Sequence, residues 1–582
     1  MKHFYKINKY VAPYKGKMIL GIVAIIAANV LTALVPILTK RIFDDIDRGS
    51  MTMPALYVMV AVIILIAVVS GLMQILSRLL IMGASRRVET ALRNDTFANI
   101  QKQSPSFFVK YRTGDIMSRL TGDIESVRMA IGFGVTFIIN SFVAFVISIG
   151  GMSYVNTRLA IISLAPLIII IFIVRKLAAL MHEYSMKTQI QLAAISSRAQ
   201  ENFSGAKVIK AFTQENSEIE HMKKLNLDYL NCNMELVKVT GIGFTVLALV
   251  TEIGIGVILW FGGRDVISGS LSKGDFIAFN MFYFAMLWPM VALGWTTSLF
   301  QRANTAMERI CELLEAAPEI PESSGDAATQ CPVLKGDIEF NGLDFEYSSG
   351  QSSFKLQNIS FAVPHGRTLA IIGTTGSGKT TLMNLLSRLV KAPDNSILID
   401  GIDINKINPG ALRDCLGVVP QESFLFSDTI RNNLIFGRPD ASDEEMRFAA
   451  RISRISVDIE AFPEKYGQVV GERGITLSGG QRQRIAIARA IMKNPRILVL
   501  DDALSSVDTH TEEEILNGLR EFMKGRTCIM IAHRISTIKD ADEILVLDNG
   551  RIVEKGPHQY LLSLGGMYAQ MFAQQQLEQQ LI

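Results

Sequence analysis

The sequence predicts a multidomain chain: an all-α six-helix transmembrane domain followed by an α/β domain. Three observations carry that expectation. A hydrophobic fraction of 49% beside 19% charged residues is high for a chain surrounded by water. The excess is gathered into long apolar runs before residue 303. Beyond residue 336 the pattern becomes short apolar strands alternating with helices. At 582 residues the chain exceeds what one core supports, so at least two domains are expected.

Charge and cysteine usage exclude other classes. A net charge of +3 is too small to argue for nucleic acid. Cys232, Cys311, Cys331, Cys415 and Cys528 have neither metal spacing nor a disulfide pattern, which points to buried or idle thiols. Lys2, Lys6 and Lys9 precede no apolar run with a cleavage site, so no secretory signal is read.

Residues 1–16 alternate aromatics with lysines and read as an interfacial elbow helix. Residues 17–302 form the six-span domain. Its apolar runs lie near 18–38, 55–75, 131–154, 159–174, 241–261 and 276–299, each about long enough to cross ~30 Å of hydrocarbon. The connections after the second and fourth runs are long and basic, carrying Arg86, Arg87, Arg93, Lys102, Arg112 and Arg119, then Lys187, Lys207, Lys210, Lys223 and Lys224. The positive-inside rule therefore makes both termini and these two connections cytoplasmic in a multi-pass protein of the cell membrane. Asn29, Asn140, Glu252 and Asn280 sit at membrane depth, where a polar group is costly and faces a cavity or a partner. Glu252 and Asn280 are expected to line a path through the bundle, the alternative being pairing within it. Pro318, Pro321, Ser323, Ser324 and Gly325 mark a linker over 303–336.

Residues 337–582 carry the chemistry. An apolar strand at 368–372 runs into Gly373-Thr374-Thr375-Gly376-Ser377-Gly378-Lys379-Thr380, then a helix opening Thr381-Leu382-Met383. This is a phosphate-binding loop in its strand–loop–helix setting: backbone N–H groups and a helix N-terminus cradle phosphate oxygens. Lys379 is expected to reach the outer phosphates of ATP and the Thr380 hydroxyl to ligate Mg²⁺. The α/β domain is thus a P-loop ATPase domain. A second apolar strand, Ile497-Leu498-Val499-Leu500, ends in Asp501-Asp502, and Asp501 supplies the carboxylate for the metal. Just before it, Leu477-Ser478-Gly479-Gly480-Gln481 is placed to open a helix whose free N–H groups hold an anion.

Taken in order, these motifs resemble the ATP-binding cassette (ABC) exporters in half-transporter form, over essentially the whole chain. Tyr347 matches the aromatic that stacks on adenine. Gln421 matches the glutamine that senses the γ-phosphate and contacts the membrane domain, and it is expected to join Thr380 and Asp501 at the metal. Gly471-Glu472-Arg473-Gly474 matches a segment preceding the signature 477–481. Ser505-Ser506-Val507-Asp508 matches the loop crossing between subunits, and His533 matches the switch histidine. Thr113-Gly114-Asp115-Ile116 with Ser118-Arg119-Leu120-Thr121, and Ala211-Phe212-Thr213-Gln214-Glu215, look like the two intracellular loops. The resemblance implies a helical subdomain, two nucleotide domains sandwiching two ATP molecules, and Ser478, Gly479, Gly480 and Gln481 contacting the partner's nucleotide.

One position departs from the family. Where the family carries a catalytic glutamate, this chain has Asp502, shorter by one methylene, about 1.5 Å of reach. A misplacement near 1 Å costs on the order of a hundredfold in rate. ATP binding is expected to survive and hydrolysis at this chain's own site to be slow. That pattern resembles the degenerate half of heterodimeric multidrug or lipid exporters; a heterodimer with a second half-transporter is favoured over a homodimer. The expected activity is ATP-driven export of amphipathic small molecules or membrane lipids by alternating access. The alternative is an ATP-binding gating protein with little transport turnover.

Overall fold

The computed structural model describes residues 4–320, 334–347, 355–471, 474 and 476–580. The chain divides into two compact units: residues 1–101 with 112–316, and residues 102–111 with 317–582.

The first unit is helical. Its long helices are α1 (Lys15–Asp47), α2 (Met53–Gln101), α3 (Val135–Ser204), α4 (Glu215–Ile267) and α5 (Lys273–Leu314). α3 is two helices joined at Asn156, whose backbone leaves the helical region at φ −157° and ψ 105°. The Asn156 side chain accepts from the Leu159 N–H (3.0 Å), so the sharp turn between the third and fourth apolar runs is also the N-cap of the fourth. All six apolar runs therefore fall on helices. Among the described residues, Tyr5–Asp47, Met53–Gln101, Thr113–Pro166 and Glu215–Ile267 are long and apolar enough to cross a membrane.

Polar residues inside this unit find one another. Asn29 Nδ2 donates to Asn140 Oδ1 (2.9 Å) and to its own helix at Ile25 (2.9 Å), joining the first and third spans. On the helical extensions beyond the spans, buried Glu89 lies between Arg93 (2.7 Å) and Arg128 (3.4 Å). Buried Arg119 pairs with Asp115 (3.0 Å) and Glu312 (2.7 Å), and Arg309 pairs with Asp123. α5 continues to Leu314, well into the stretch whose composition reads as a linker. Ala303, Ala306, Met307, Ile310, Cys311 and Leu313 are buried there at helical spacing.

The second unit is built on two sheets. The antiparallel sheet has the order β2-β1-β4-β5, from β1 (Ile338–Glu346), β2 (Lys355–Val363), β4 (Ile397–Ile399) and β5 (Ile402–Asp403). The larger sheet has the order β10-β9-β3-β8-β7-β6, from β3 (Thr368–Gly373), β6 (Leu416–Val419), β7 (Ile497–Asp501), β8 (Thr527–Ile531), β9 (Glu543–Asp548) and β10 (Arg551–Gly556). All its neighbours are parallel except β10 on β9. Its strands read as continuous apolar runs because both faces are covered. Ala370, Ile372, Leu498, Leu500, Cys528 and Met530 point into one core, while Leu369, Ile371, Ile497, Val499, Ile529 and Ile531 point into the other. None of the four described cysteines forms a disulfide, and burial pushes the Cys528 thiol up to about 12.

Between β6 and β7 the chain inserts helices Ile430–Leu434, Asp443–Ile452 and Ser456–Ala461, then α7 (Gly479–Met492). Arg489 on α7 anchors this helical insert. Its guanidinium donates to the carbonyls of Asn433 (2.9 Å) and Phe424 (3.0 Å) and to Asn433 Oδ1 (2.9 Å), beside the stacked rings of Phe426 and Phe436. Arg489→Lys keeps the charge but not the fork. It is expected to cost about 2 kcal/mol, a fall of roughly 4–8 °C in the melting of this unit in scanning fluorimetry.

Candidate nucleotide site

Four parallel strands that lie side by side deliver the predicted residues to one edge, the carboxyl ends where ligands bind in open α/β sheets. β3 ends at Gly373, β6 leads to Gln421, β7 ends at Asp501 and β8 leads to His533. Asp501 stands opposite Ile531 in the β7–β8 register. Around this edge is a cleft of about 390 Å³ lined by Tyr347, Thr375, Gly376, Gly378, Lys379, Thr380, Thr381, Gln421, Asp501, Ile531 and His533.

Each lining residue has a local reason for its place. Gly373 must be glycine, because a Cβ there would lie 1.9 Å from the Leu547 carbonyl oxygen of β9. Gly376 and Gly378 take φ of +81° and +103°, which folds the loop back over the start of α6 (Lys379–Leu386). Thr374 Oγ1 donates to Asp548 Oδ1 (3.0 Å), and Ser377 is buried beneath the loop; with Gly373 they shape the cradle without lining the cleft. Lys379 Nζ donates to the carbonyls of Gly373 (2.9 Å) and Thr374 (2.8 Å), which holds the ammonium at the cleft. Burial pulls the Lys379 pKa below its ordinary value, opposed by the carboxylates of Asp501 and Asp502. The Tyr347 ring lies edge-on to Phe345 (5.1 Å), with its hydroxyl 3.5 Å from Thr381 Oγ1.

Asp501 is buried, which raises its pKa, and the hydrogen bond from Thr380 opposes that rise. A lone buried carboxylate beside a hydroxyl is a hard-oxygen pair that suits a small divalent cation completed by phosphate oxygens and water. Among the described residues no cluster of three His, Cys, Asp or Glu could hold a metal unaided.

Two predicted groups lie elsewhere. Asp502 does not line the cleft; it lines an adjoining cavity of about 310 Å³ with Leu504, Ser505, Glu512, His533 and Arg534. Asp502 takes φ +48°, a left-handed conformation that aspartate tolerates better than most residues, and its charge still acts on Asp501 and Lys379. Ser478, Gly479, Gly480 and Gln481 are also absent from this chain's cleft. Ser478 caps α7 in a reciprocal box, Ser478 N–H to Gln481 Oε1 (2.9 Å) and Gln481 N–H to Ser478 Oγ (3.2 Å), while Gln481 Nε2 donates to Asp458 (2.8 Å). Gly479 and Gly480 let Ser506 approach closely, since a Cβ on Gly480 would lie 3.0 Å from the Ser506 carbonyl. Glu472 and Arg473 lie outside the described residues. In the first unit, Glu252 is on the exposed side of α4, and Asn280 Nδ2 donates to its own helix at Phe276 (2.8 Å); no hydrogen bond joins the two among the described residues. Sequence reasoning passed over Asp548, Gln483, Glu512 and Gln575, whose contacts with these loops depend on the tertiary fold.

A phosphate loop, a metal-suited carboxylate and strand-end Gln and His groups, fused to a bundle of membrane-length helices, define a membrane-bound P-loop ATPase. Family comparison agrees over both halves. Residues 18–290 match the model of the ABC transporter transmembrane region, and residues 356–505 match that of the ABC transporter. The chain is 33% identical over 573 residues to a probable multidrug resistance ABC transporter ATP-binding/permease protein of Bacillus subtilis, covering 98% of this chain and 97% of that protein. It is 34% identical over 570 residues to an ATP-dependent lipid A-core flippase of Syntrophus aciditrophicus, covering 98% and 94%. A solved bacterial Atm1-family ABC exporter with ATP bound matches with a TM-score of 0.79 at 28% identity, covering 97% of this chain and 99% of that one. The chain belongs to the ABC transporter family, as a half-transporter of the exporter type, and is an ATPase-coupled multi-pass membrane transporter.

Lys379→Met removes both bonds that shape the loop's mouth and the only buried cation among the cleft-lining residues. ATP affinity, read by equilibrium binding to the purified transporter, is expected to fall about a hundredfold, with melting little changed.

Proposed function

We propose that the chain exports amphipathic small molecules or lipids across the cytoplasmic membrane by alternating access. It does so as one half of a dimer with two composite ATP sites, and its own site hydrolyses slowly. The observation that carries the slow-site reading is the way Asp502 is held. Its N–H donates to the Ile531 carbonyl (2.8 Å), and its carbonyl accepts from Ser505 Oγ (3.0 Å) and Gln483 Nε2 (3.5 Å). A main chain pinned on both sides resists the shift that would make up for a missing methylene.

The other roles follow from placement. Thr380, Asp501 and Gln421 hold Mg²⁺, which supplies charge neutralisation at the phosphates when bound. Lys379 and the loop 373–381 bind the phosphates, Tyr347 stacks on adenine, and His533 senses the γ-phosphate. Ser478, Gly479, Gly480 and Gln481, absent from this chain's own cleft, serve the cleft of the partner. An intact signature beside the shorter acid Asp502 favours a heterodimer in which this chain completes a faster site, over a homodimer, which would also need the signature. The basic connections support a cytoplasmic nucleotide domain and cytoplasmic termini. Glu252, unpaired among the described residues, faces the translocation path, with Asn280 on a neighbouring helix. The names of the relatives, multidrug resistance and lipid A-core flippase, support an amphipathic cargo. The second reading, an ATP-gated membrane protein with little turnover, draws on the same Asp502.

In proteoliposomes containing the full dimer, ATP hydrolysis stimulated by amphipathic compounds together with their ATP-dependent accumulation is the expected result. No hydrolysis with any half-transporter partner would favour the gating reading. Asp502→Glu is expected to raise turnover at this chain's site by ten- to a hundredfold, against roughly 1 kcal/mol of backbone cost at the left-handed position. Unchanged turnover with unchanged ATP binding would show that reach is not what limits the site.

A further inference from the structure

The C-terminal helix α9 (Met567–Gln580) carries none of the motifs above, yet it reaches the loop that presents His533. Its first turn is fixed. The Glu554 carboxylate on β10 accepts from the N–H groups of Met567 and Tyr568, the latter at 3.1 Å. Tyr568 is fully buried, with its hydroxyl 2.7 Å from His558 Nδ1. Met571 and Phe572 then pack against the core shared by β7 and β8. Gln575 lies seven residues past Tyr568, two turns along the same face of the helix.

There the Gln575 amide grips the loop with both of its atoms. Nε2 donates to the His533 carbonyl (2.6 Å) and Oε1 accepts from the Ile535 N–H (2.8 Å). From α8 (Thr509–Met523), buried Glu512 accepts from Arg534 and from the Thr537 hydroxyl. The backbone of 533–537 is held from two directions, while the His533 side chain stays exposed between the cleft and the adjoining cavity.

We infer that Gln575 is a positioning residue for His533: its amide sets the direction of the backbone at 533–535, and so the depth at which the imidazole enters the nucleotide cleft. This rests on the reading of His533 as the group that senses the γ-phosphate. The C-terminal helix thereby becomes part of the ATP sensor.

The test uses the full-length transporter in lipid nanodiscs. Photolabelling with an 8-azido adenine nucleotide resolves this chain's site from a partner's, and competition by unlabelled ATP and ADP gives the preference for the γ-phosphate. Gln575→Leu keeps the volume and removes both bonds; Gln575→Glu keeps the acceptor and removes the donor. Gln575→Leu is expected to cut the ATP-over-ADP preference on the order of tenfold with ADP affinity unchanged, and Gln575→Glu to fall between it and wild type. In the His533→Ala background, Gln575→Leu is expected to add nothing, the signature of two residues acting as one. An unchanged preference in Gln575→Leu overturns the inference, as does an equal loss with and without His533, which marks a merely structural role. If His533→Ala itself leaves the preference intact, the sensor reading fails and the inference with it. Should Gln575→Leu not fold, Gln575→Glu with and without His533→Ala decides by the same comparison.

Discussion

The chemistry of the second unit depends on a sheet that is apolar on both faces. β7 and β8 are buried along their whole length and alternate side chains between two cores. A polar side chain within either strand loses its hydration and needs a partner in exchange, as at Thr527 at the start of β8, whose buried hydroxyl donates to the Gly336 carbonyl (2.7 Å). Reactive groups therefore emerge where the strands stop, and the parallel register makes neighbouring strands stop at one level. Asp501 marks the limit of that rule. It is the last strand residue, still buried, and its carboxyl is tolerable because the Thr380 hydroxyl and the Lys379 ammonium stand over it.

This is why so much of the site was legible in the sequence. The glycine spacing of 373–380 has one backbone solution, and an apolar run ending in aspartate marks a strand end wherever the sheet places it. Six apolar runs likewise led to helices, including the two halves of α3, because hydrocarbon-length runs have few alternatives. What stayed hidden depends on distance or on a single backbone angle. Gln575 stands in a run of three glutamines, Gln574-Gln575-Gln576, that reads as a polar tail; only the burial of Tyr568 sets which face of the helix turns inward. The left-handed turn at Asp502, φ +48°, is a single backbone angle that no composition reveals. The loop expected over 113–121 belongs to the first unit, while the short helix Pro105–Lys110 just before it belongs to the second. Ser104 and Ser106 there donate to Glu319 (2.8 and 2.6 Å), a carboxylate more than 200 residues away.

The first unit follows the opposite logic, since its helices satisfy their own backbone and its problem is the charge on the extensions. Arg119, Arg128, Glu89 and Asp123 are buried, and each has an opposite charge within reach. Buried pairs of this kind add little net stability but penalise any arrangement that separates them. Arg119–Glu312 and Arg309–Asp123 tie the segment after Thr113 to the end of α5, so that neither stretch can shift alone without separating buried charge.

The motif that opens α7 has two obligations. Ser478 and Gln481 cap their own helix and reach Asp458, while Gly479 and Gly480 leave room for Ser506. These contacts preorganise the helix start whether or not this chain's own cleft turns over. Asp502, by contrast, has a pinned backbone and lines the adjoining cavity. A well-capped 477–481 beside an acid one methylene shorter than glutamate supports the proposal that this chain contributes more to a partner's site than to its own.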